Sequence, residues 1–198
     1  MNRDEAWQIL TEYTQNESLI KHALAVEAAM RHYARHFGED EALWGIVGLL
    51  HDFDYERWPE PPEHTRQGAK ILRERGADET LVGAMLSHAE WNRSEYPLDT
   101  PLRKTLAAVD ELCGFVTACA LVRPDRLAGL KPKSVRKKMK SPAFAAAVSR
   151  EDITRGAELL ELDLNDHIAH VIEAMQSAAD ALGLSADATG QNAEQRGA

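Results

Sequence analysis

Cysteine is scarce in this chain, with only Cys113 and Cys119 among 198 residues. Both fall on one predicted helix, about 240° apart around its axis, so they make neither a CxxC pair nor a disulfide framework. A reducing, cytoplasmic setting is the expectation. No apolar run approaches the ~18 residues of a membrane span. The opening stretch MNRDEAWQIL is acidic and has no apolar signal core. Alternating apolar and polar strand patterns are also missing, which argues against a sheet. Positive charge is in deficit: the formal net charge is −9. The surface as a whole therefore repels duplex nucleic acid, and anions can bind only where charge is locally positive or a metal is held.

What is present is helical periodicity. An apolar fraction of 44% with 28% charged residues suits one globular domain with a real core. After a first helix near Asp4–Thr14, Asn16 can cap a long helix that ends at Gly38. Its apolar stripe runs Leu19, Ala23, Val26, Met30, Tyr33, Phe37 and includes His22. A third helix starts near Asp40 and ends around His51-Asp52. The run 53–62 holds three prolines and must be loop. Pro62 leads into a fourth helix carrying His64 and closed by Gly76. Asp78 caps a fifth that carries His88. Thr100 and Pro101 open a sixth that carries Asp110 and runs to about Arg123. A basic segment (131–141) follows, then two more helices. The first opens at Ser149, which resembles a capping box with Asp152 in place of Glu, and the second ends at Gly183. The polar composition of 185–198 predicts a disordered tail. The expected fold class is all-α.

Six polar residues fall on or beside the apolar faces: His22, His51, Asp52, His64, His88 and Asp110. A lone histidine on such a face is more often a hydrogen-bonded core residue than a ligand. Four of them with two carboxylates are harder to explain that way. Buried carboxylates carry a large desolvation cost unless a cation sits beside them. Arg and Lys are scarce on these faces, so a metal is the better source of positive charge. Mixed His/Asp donors suit Mn, Fe, Co, Ni, Zn or Mg, and the lack of Cys argues against a structural zinc.

The order His…His-Asp…His…His…Asp on successive helices resembles the HD-domain superfamily of metal-dependent phosphohydrolases, over about Ser18 to Arg123. The resemblance implies a compact helical HD-domain bundle spanning 1–184, with a core of about 18–123 and additional C-terminal helices at 131–183. It implies that His22, His51, Asp52 and Asp110 hold a primary divalent ion. His64 and His88 match the extra histidines of members that hold a second, and Asp52 would then bridge the two. The implied activity is hydrolysis of a phosphate ester of a small molecule, plausibly a nucleotide, by metal-activated water. A non-catalytic metal or nucleotide sensor and an HD-type di-iron oxygenase are the alternatives. The His-Asp-x-x-Glu-Asp signature of guanosine-tetraphosphate hydrolases is displaced here, and the GlyTyrPro signature of cyclic-dinucleotide phosphodiesterases is absent. The run 110–124 is similar to a group of small bacterial proteins named only as HD-domain hydrolases.

Several further residues carry expectations. Asp52 is assigned a catalytic role with Asp54 and Glu56, the latter two as a proton shuttle or else as solvated loop. Arg123, Arg126, Lys133 and Lys137 are candidates for binding anionic substrate, against the plain reading of a solvated basic face. Tyr55 and Trp58 can line a pocket mouth, and Trp44 and Val47 read as core. His32, His36, His167 and His170 read as unpartnered surface or interface residues. Expected partners are a small phosphorylated molecule, with a homodimer possible and neither duplex nucleic acid nor membrane.

Overall fold

In a computed structural model describing residues 1–186, the chain's longest helices are set by their end residues. After α1 (Arg3–Tyr13), Asn16 Oδ1 accepts hydrogen bonds from the amides of Ser18 and Leu19 and starts α2 (Glu17–Phe37). Gly38, at φ 73°, stops it in the left-handed conformation that glycine adopts at least cost. α2 buries Val26, Met30 and Tyr33 in the core, and Phe37 at the end of the stripe reaches the surface.

Asp40 caps α3 (Glu41–Leu50), which is buried from Trp44 to Leu50. α2 and α3 pack closely because Gly48 has no side chain: a Cβ there would stand 2.9 Å from the Glu27 backbone. The turns at 51–57 follow directly from α3. The fourth helix, α4 (Glu63–Glu74), is broken at its start, where His64 and Thr65 leave helical geometry (Thr65 φ 66°). The sequence predicts an unbroken helix through His64, but regular helix begins only after Thr65.

α5 (Glu79–His88) is capped by Asp78, and α6 (Pro101–Leu121) by Thr100 with Pro101 in the first turn. The basic segment folds as α7 (Pro132–Met139), followed by α8 (Arg150–Leu159), α9 (Leu164–Ser177) and α10 (Ala179–Leu182). The expected final helix is thus two, divided at Ala178 and ended by Gly183 at φ 65°. Among the described residues there is no strand, and no helix is long and apolar enough to cross a membrane. Cys113 and Cys119 are both buried and unpaired. The tail expected at 185–198 lies, from residue 187 on, outside the described residues.

The layers follow from one close approach. α8 packs on α6 through Gly156, where a Cβ would stand 2.8 Å from Ala108 Cα. α9 crosses α2 and α6, and His167 on α9 donates from Nε2 to the Ala108 carbonyl (3.0 Å). Both contacts fall two residues from Asp110, so the C-terminal helices brace the strip of α6 that carries it.

Candidate metal centre

α2, the end of α3, the start of α4, the end of α5 and the middle of α6 deliver His22, His51-Asp52, His64, His88 and Asp110 to one place. The ligand atoms fall into two sets, His22–His51–Asp52 and Asp52–His64–His88, each within 4.8 Å of one another. Asp52 belongs to both. Its Oδ1 is 3.2 Å from His64 Nε2 and 3.1 Å from His88 Nε2. On the other side, His51 Nε2 is 3.7 Å from Asp52 Oδ2 and 3.5 Å from Asp110 Oδ1, and His22 Nε2 is 2.9 Å from Asp110 Oδ1. Two donors each about 2.1 Å from one ion stand roughly 3–3.4 Å apart, close to the range seen here.

Two neighbouring residues on a regular helix point about 100° apart and would not normally share an ion. The dyad escapes this because α3 ends at Leu50 and His51 is its C-cap. His51 Nδ1 donates back to the Gly48 carbonyl (2.8 Å), which aims Nε2 at the cluster. His88, the last residue of α5, does the same with the Met85 carbonyl (3.0 Å). His64 uses a side chain instead: its Nδ1 donates to Asp54 Oδ1 (3.0 Å). In all three the Nδ1 proton is committed outside the cluster, leaving Nε2 free to ligate, the arrangement that orients metal-binding imidazoles.

His64 depends on a constrained backbone. Thr65 is β-branched and sits at positive φ, an uncommon and costly conformation. Its Oγ1 donates to the His64 carbonyl (2.6 Å) and accepts from Asn92 Nδ2 (2.8 Å), which fixes the break that turns His64 inward.

The electrostatics favour a bound cation. Burial alone would raise the Asp52 pKa, but His51, His64 and His88 hold it well below the usual carboxylate range. Asp110 is likewise held low against burial by His51 and His22. Burial works to lower His64, yet Asp52 and Asp54 push it up to about 9. His51 and His88 are also raised against the effect of burial, by Asp52 and Asp110. Without an ion, the carboxylates gather protons onto the imidazoles around them. Two buried atoms facing this centre, His51 Nε2 and Asp52 Oδ1, make no hydrogen bond despite their close neighbours. Buried polar atoms are nearly always satisfied, and a cation beside each of these atoms would account for the two exceptions. The residues therefore fit a divalent ion, or two.

The other expected site residues fall elsewhere. Asp54 is fully buried and points away from the cluster: its Oδ1 takes the His64 proton and its Oδ2 accepts from Gly68 N (2.7 Å). It positions His64. Glu56 is exposed, and its Oε2 accepts from the amides of Gln15 and Asn16 (2.8 and 2.9 Å), clamping the start of α2. Tyr55 does flank the centre, its ring 5.2 Å from that of His64, whereas Trp58 packs on Tyr13.

None of the four expected anion-binding cations lines the cavity beside the cluster. Arg123 pairs with Asp125 (2.7 Å) and Arg126 donates to the Leu121 carbonyl (2.7 Å). Both follow α6, about 20 Å along its direction from Asp110. Lys133 and Lys137 are exposed on α7, which packs on α9 and α6.

The cavity that opens on His88 and Asp110 holds about 300 Å³ and is lined by Trp91, Arg93, Glu111 and Arg155 among others. Arg93 is fixed by donating to the Ser87 and His88 carbonyls (3.3 and 3.0 Å). Arg155 is exposed and has no hydrogen bond or ion pair among the described residues. Glu111 accepts from Ser149 N (2.9 Å), taking the place that the expected capping box gives to Asp152. Trp91 is 41% exposed, with its ring 5.9 Å from His64. Sequence reasoning missed Trp91, Arg93 and Arg155. The first two follow His88 closely and were within reach, but Arg155 has no local signal and depends on the Gly156–Ala108 contact.

The fold and this paired donor set define an all-helical domain with a candidate metal centre. Residues 19–114 match the family model described as HD domain, which supports membership of the HD-domain superfamily. No curated protein and no solved structure matches the chain. Of the four expected histidine bystanders, the exposed His36 makes no side-chain hydrogen bond among the described residues, as expected, and the other three differ. His167 is fully buried, accepting from the Tyr33 hydroxyl (2.6 Å), and His32 Nε2 lies 2.9 Å from His170 Nδ1.

Proposed function

We propose that this protein releases phosphate from a small phosphorylated molecule, with a nucleotide as the leading candidate. One observation carries the reading: two ligand sets share Asp52 beside a cavity whose wall holds a fixed arginine, Arg93, and an unpaired one, Arg155. Asp52 and the five other candidate ligands would hold divalent ions there, and such ions would supply an activated water and neutralise phosphate oxygens as charge builds. Arg155 is free to engage a phosphate oxygen, and Arg93, tied to the end of α5, offers a second positive charge at a fixed position. Trp91 and Tyr55 flank His64 and supply flat surface for the rest of the substrate. The cytoplasm is the compartment proposed, on the strength of two unpaired cysteines.

The test is a panel of phosphate esters assayed with Mn, Fe, Co, Ni, Zn and Mg in turn. Metal-dependent phosphate release from at least one ester is expected, and its loss in Asp52→Ala. Release undiminished in that variant sinks the proposal. The second ligand set, Asp52–His64–His88, also keeps the di-iron oxygenase reading in play. Iron near two per chain with substrate-dependent oxygen uptake, and no phosphate release, would select it.

A further inference from the structure

Away from the metal centre, α2 and α9 bring three other histidines together. His32 and His36 are one helical turn apart and lie about 15 and 21 Å along α2 from His22. His170 faces them from α9. Its Nδ1 is 2.9 Å from His32 Nε2, and its ring centre is 5.1 Å from that of His32 and 4.7 Å from that of His36. His36 is exposed and the other two are half-buried, so solutes can reach the group.

A purely structural role accounts for part of this. The contact between His32 and His170 joins α2 to α9 and needs only two imidazoles. His36 adds nothing to it: among the described residues it makes ring contacts with Tyr33, Phe37 and His170 but no hydrogen bond. Two histidines four apart on one helix face are, however, the spacing that grips a metal ion in helical sites. Imidazole suits borderline divalent ions such as Zn, Ni, Co and Cu.

We propose that His32, His36 and His170 form a second, surface metal site for such an ion, independent of the HD centre. The exposed His36 side chain turns about its own bonds to bring a nitrogen to the ion, replacing the His32–His170 hydrogen bond with shared ligation. Burial and the neighbouring imidazole lower the pKa of both His32 and His170, which keeps them neutral and able to ligate at pH 7. Glu173 on α9 acts electrostatically on both rings and places negative charge beside the ion. Arg35, the nearby cation on α2, is engaged with Glu41 (2.6 Å). An ion here clips α9 to α2 and stabilises the packing of the C-terminal helices by mass action.

The test uses the full chain as wild type, His36→Ala and His170→Ala. Each is stripped with a chelator and titrated with Ni²⁺. Bound ions are counted by elemental analysis after desalting, and Tm is followed through the titration. The HD ligands are intact in all three proteins, so occupancy of that centre is common to them and its failure would be seen separately. Wild type is expected to hold one more ion per chain than either variant and to show the larger Ni²⁺-induced rise in Tm. Removing one direct ligand should weaken the site by at least the 10–100-fold typical of losing an outer-shell partner. Equal ion counts and equal Tm shifts in all three proteins overturn the proposal. Should His170→Ala fail to fold through loss of its bond to His32, His36→Ala decides the matter, because His36 is exposed and makes no hydrogen bond.

Discussion

Asp54 accepts the Nδ1 proton of His64 at 3.0 Å and, through its other oxygen, the amide proton of Gly68 at 2.7 Å. One buried carboxylate thus joins a candidate metal ligand to the first regular turn of α4. Gly68 permits this approach, since a Cβ there would stand 2.9 Å from Asp54 Oδ2. An outer-shell partner of this kind typically contributes 10–100-fold in metal affinity. Asp54→Ala should therefore weaken the ion held by Asp52, His64 and His88 by about that factor, while the ion held by His22, His51 and Asp110 stays bound. Metal titration with elemental counting separates the two. Equal loss of both ions, or of neither, would show that Asp54 does not act through His64.

If substrate phosphate enters the cavity beside His88 and Asp110, Arg155 is the cation free to meet it. A hydrogen bond to a charged group contributes about 1.5–3 kcal/mol, so Arg155→Ala should lower kcat/KM by roughly 10- to 150-fold. The double variant Lys133→Ala, Lys137→Ala should leave kcat/KM unchanged, because α7 does not line the cavity. Kinetics on any ester found active decides it. The reverse ranking would restore the basic segment as the substrate-binding surface.

The difference between those two sets of cations shows what the sequence could and could not convey. The six candidate ligands were legible because each lies on or at the end of an amphipathic helix, where a polar residue on an apolar face stands out. Helix caps such as Asn16, Asp40, Asp78 and Thr100 were legible for a similar reason, since capping is a local interaction. Asp54 and Glu56 were read as one pair because both are acids two residues apart in one loop. Turns at 51–57 send the first into the core and leave the second on the surface against α2. Thr65 at positive φ could not be foreseen, because it is imposed from outside by Asn92. Arg155 was invisible for the most physical of reasons: its place is set by a glycine on α8 meeting an alanine on α6, and neither carries a chemical signal. The partners of His167, His32 and His170 were not legible, because burial of α9 on α2 is a tertiary fact.

Glu56 offers a direct check on that separation of roles. Its carboxylate holds the amides of Gln15 and Asn16 just ahead of α2 and touches no member of the metal cluster. Glu56→Gln should cost about 1 kcal/mol of stability, the usual scale for a lost charge-assisted cap. Metal content and kcat should match wild type. Urea unfolding measures the first and the phosphate-release assay the second. A large fall in kcat with stability unchanged would return Glu56 to the catalytic machinery.

His167 ties stability to pH. It is fully buried between Tyr33 and Ala108, and burial, with a smaller push from His170, lowers its pKa from 6.5 to about 4 despite the bond to Ala108. The unfolded chain therefore binds a proton here between pH 6.5 and 4 that the folded chain refuses. Stability must rise with pH across that window and fall on acidification, with no further change from this group below about pH 4. At 1.36 kcal/mol per unit, the loss amounts to about 3 kcal/mol. His167→Gln keeps a polar side chain between the Tyr33 hydroxyl and the Ala108 carbonyl without titrating. Urea unfolding of both proteins from pH 7 to pH 4 isolates the effect, because acid losses at the metal ligands are common to the two. Wild type should start the more stable at pH 7, and its advantage should shrink by up to about 3 kcal/mol as the pH falls. An advantage that stays constant across the range would mean that His167 takes up its proton in the folded state as readily as in the unfolded one.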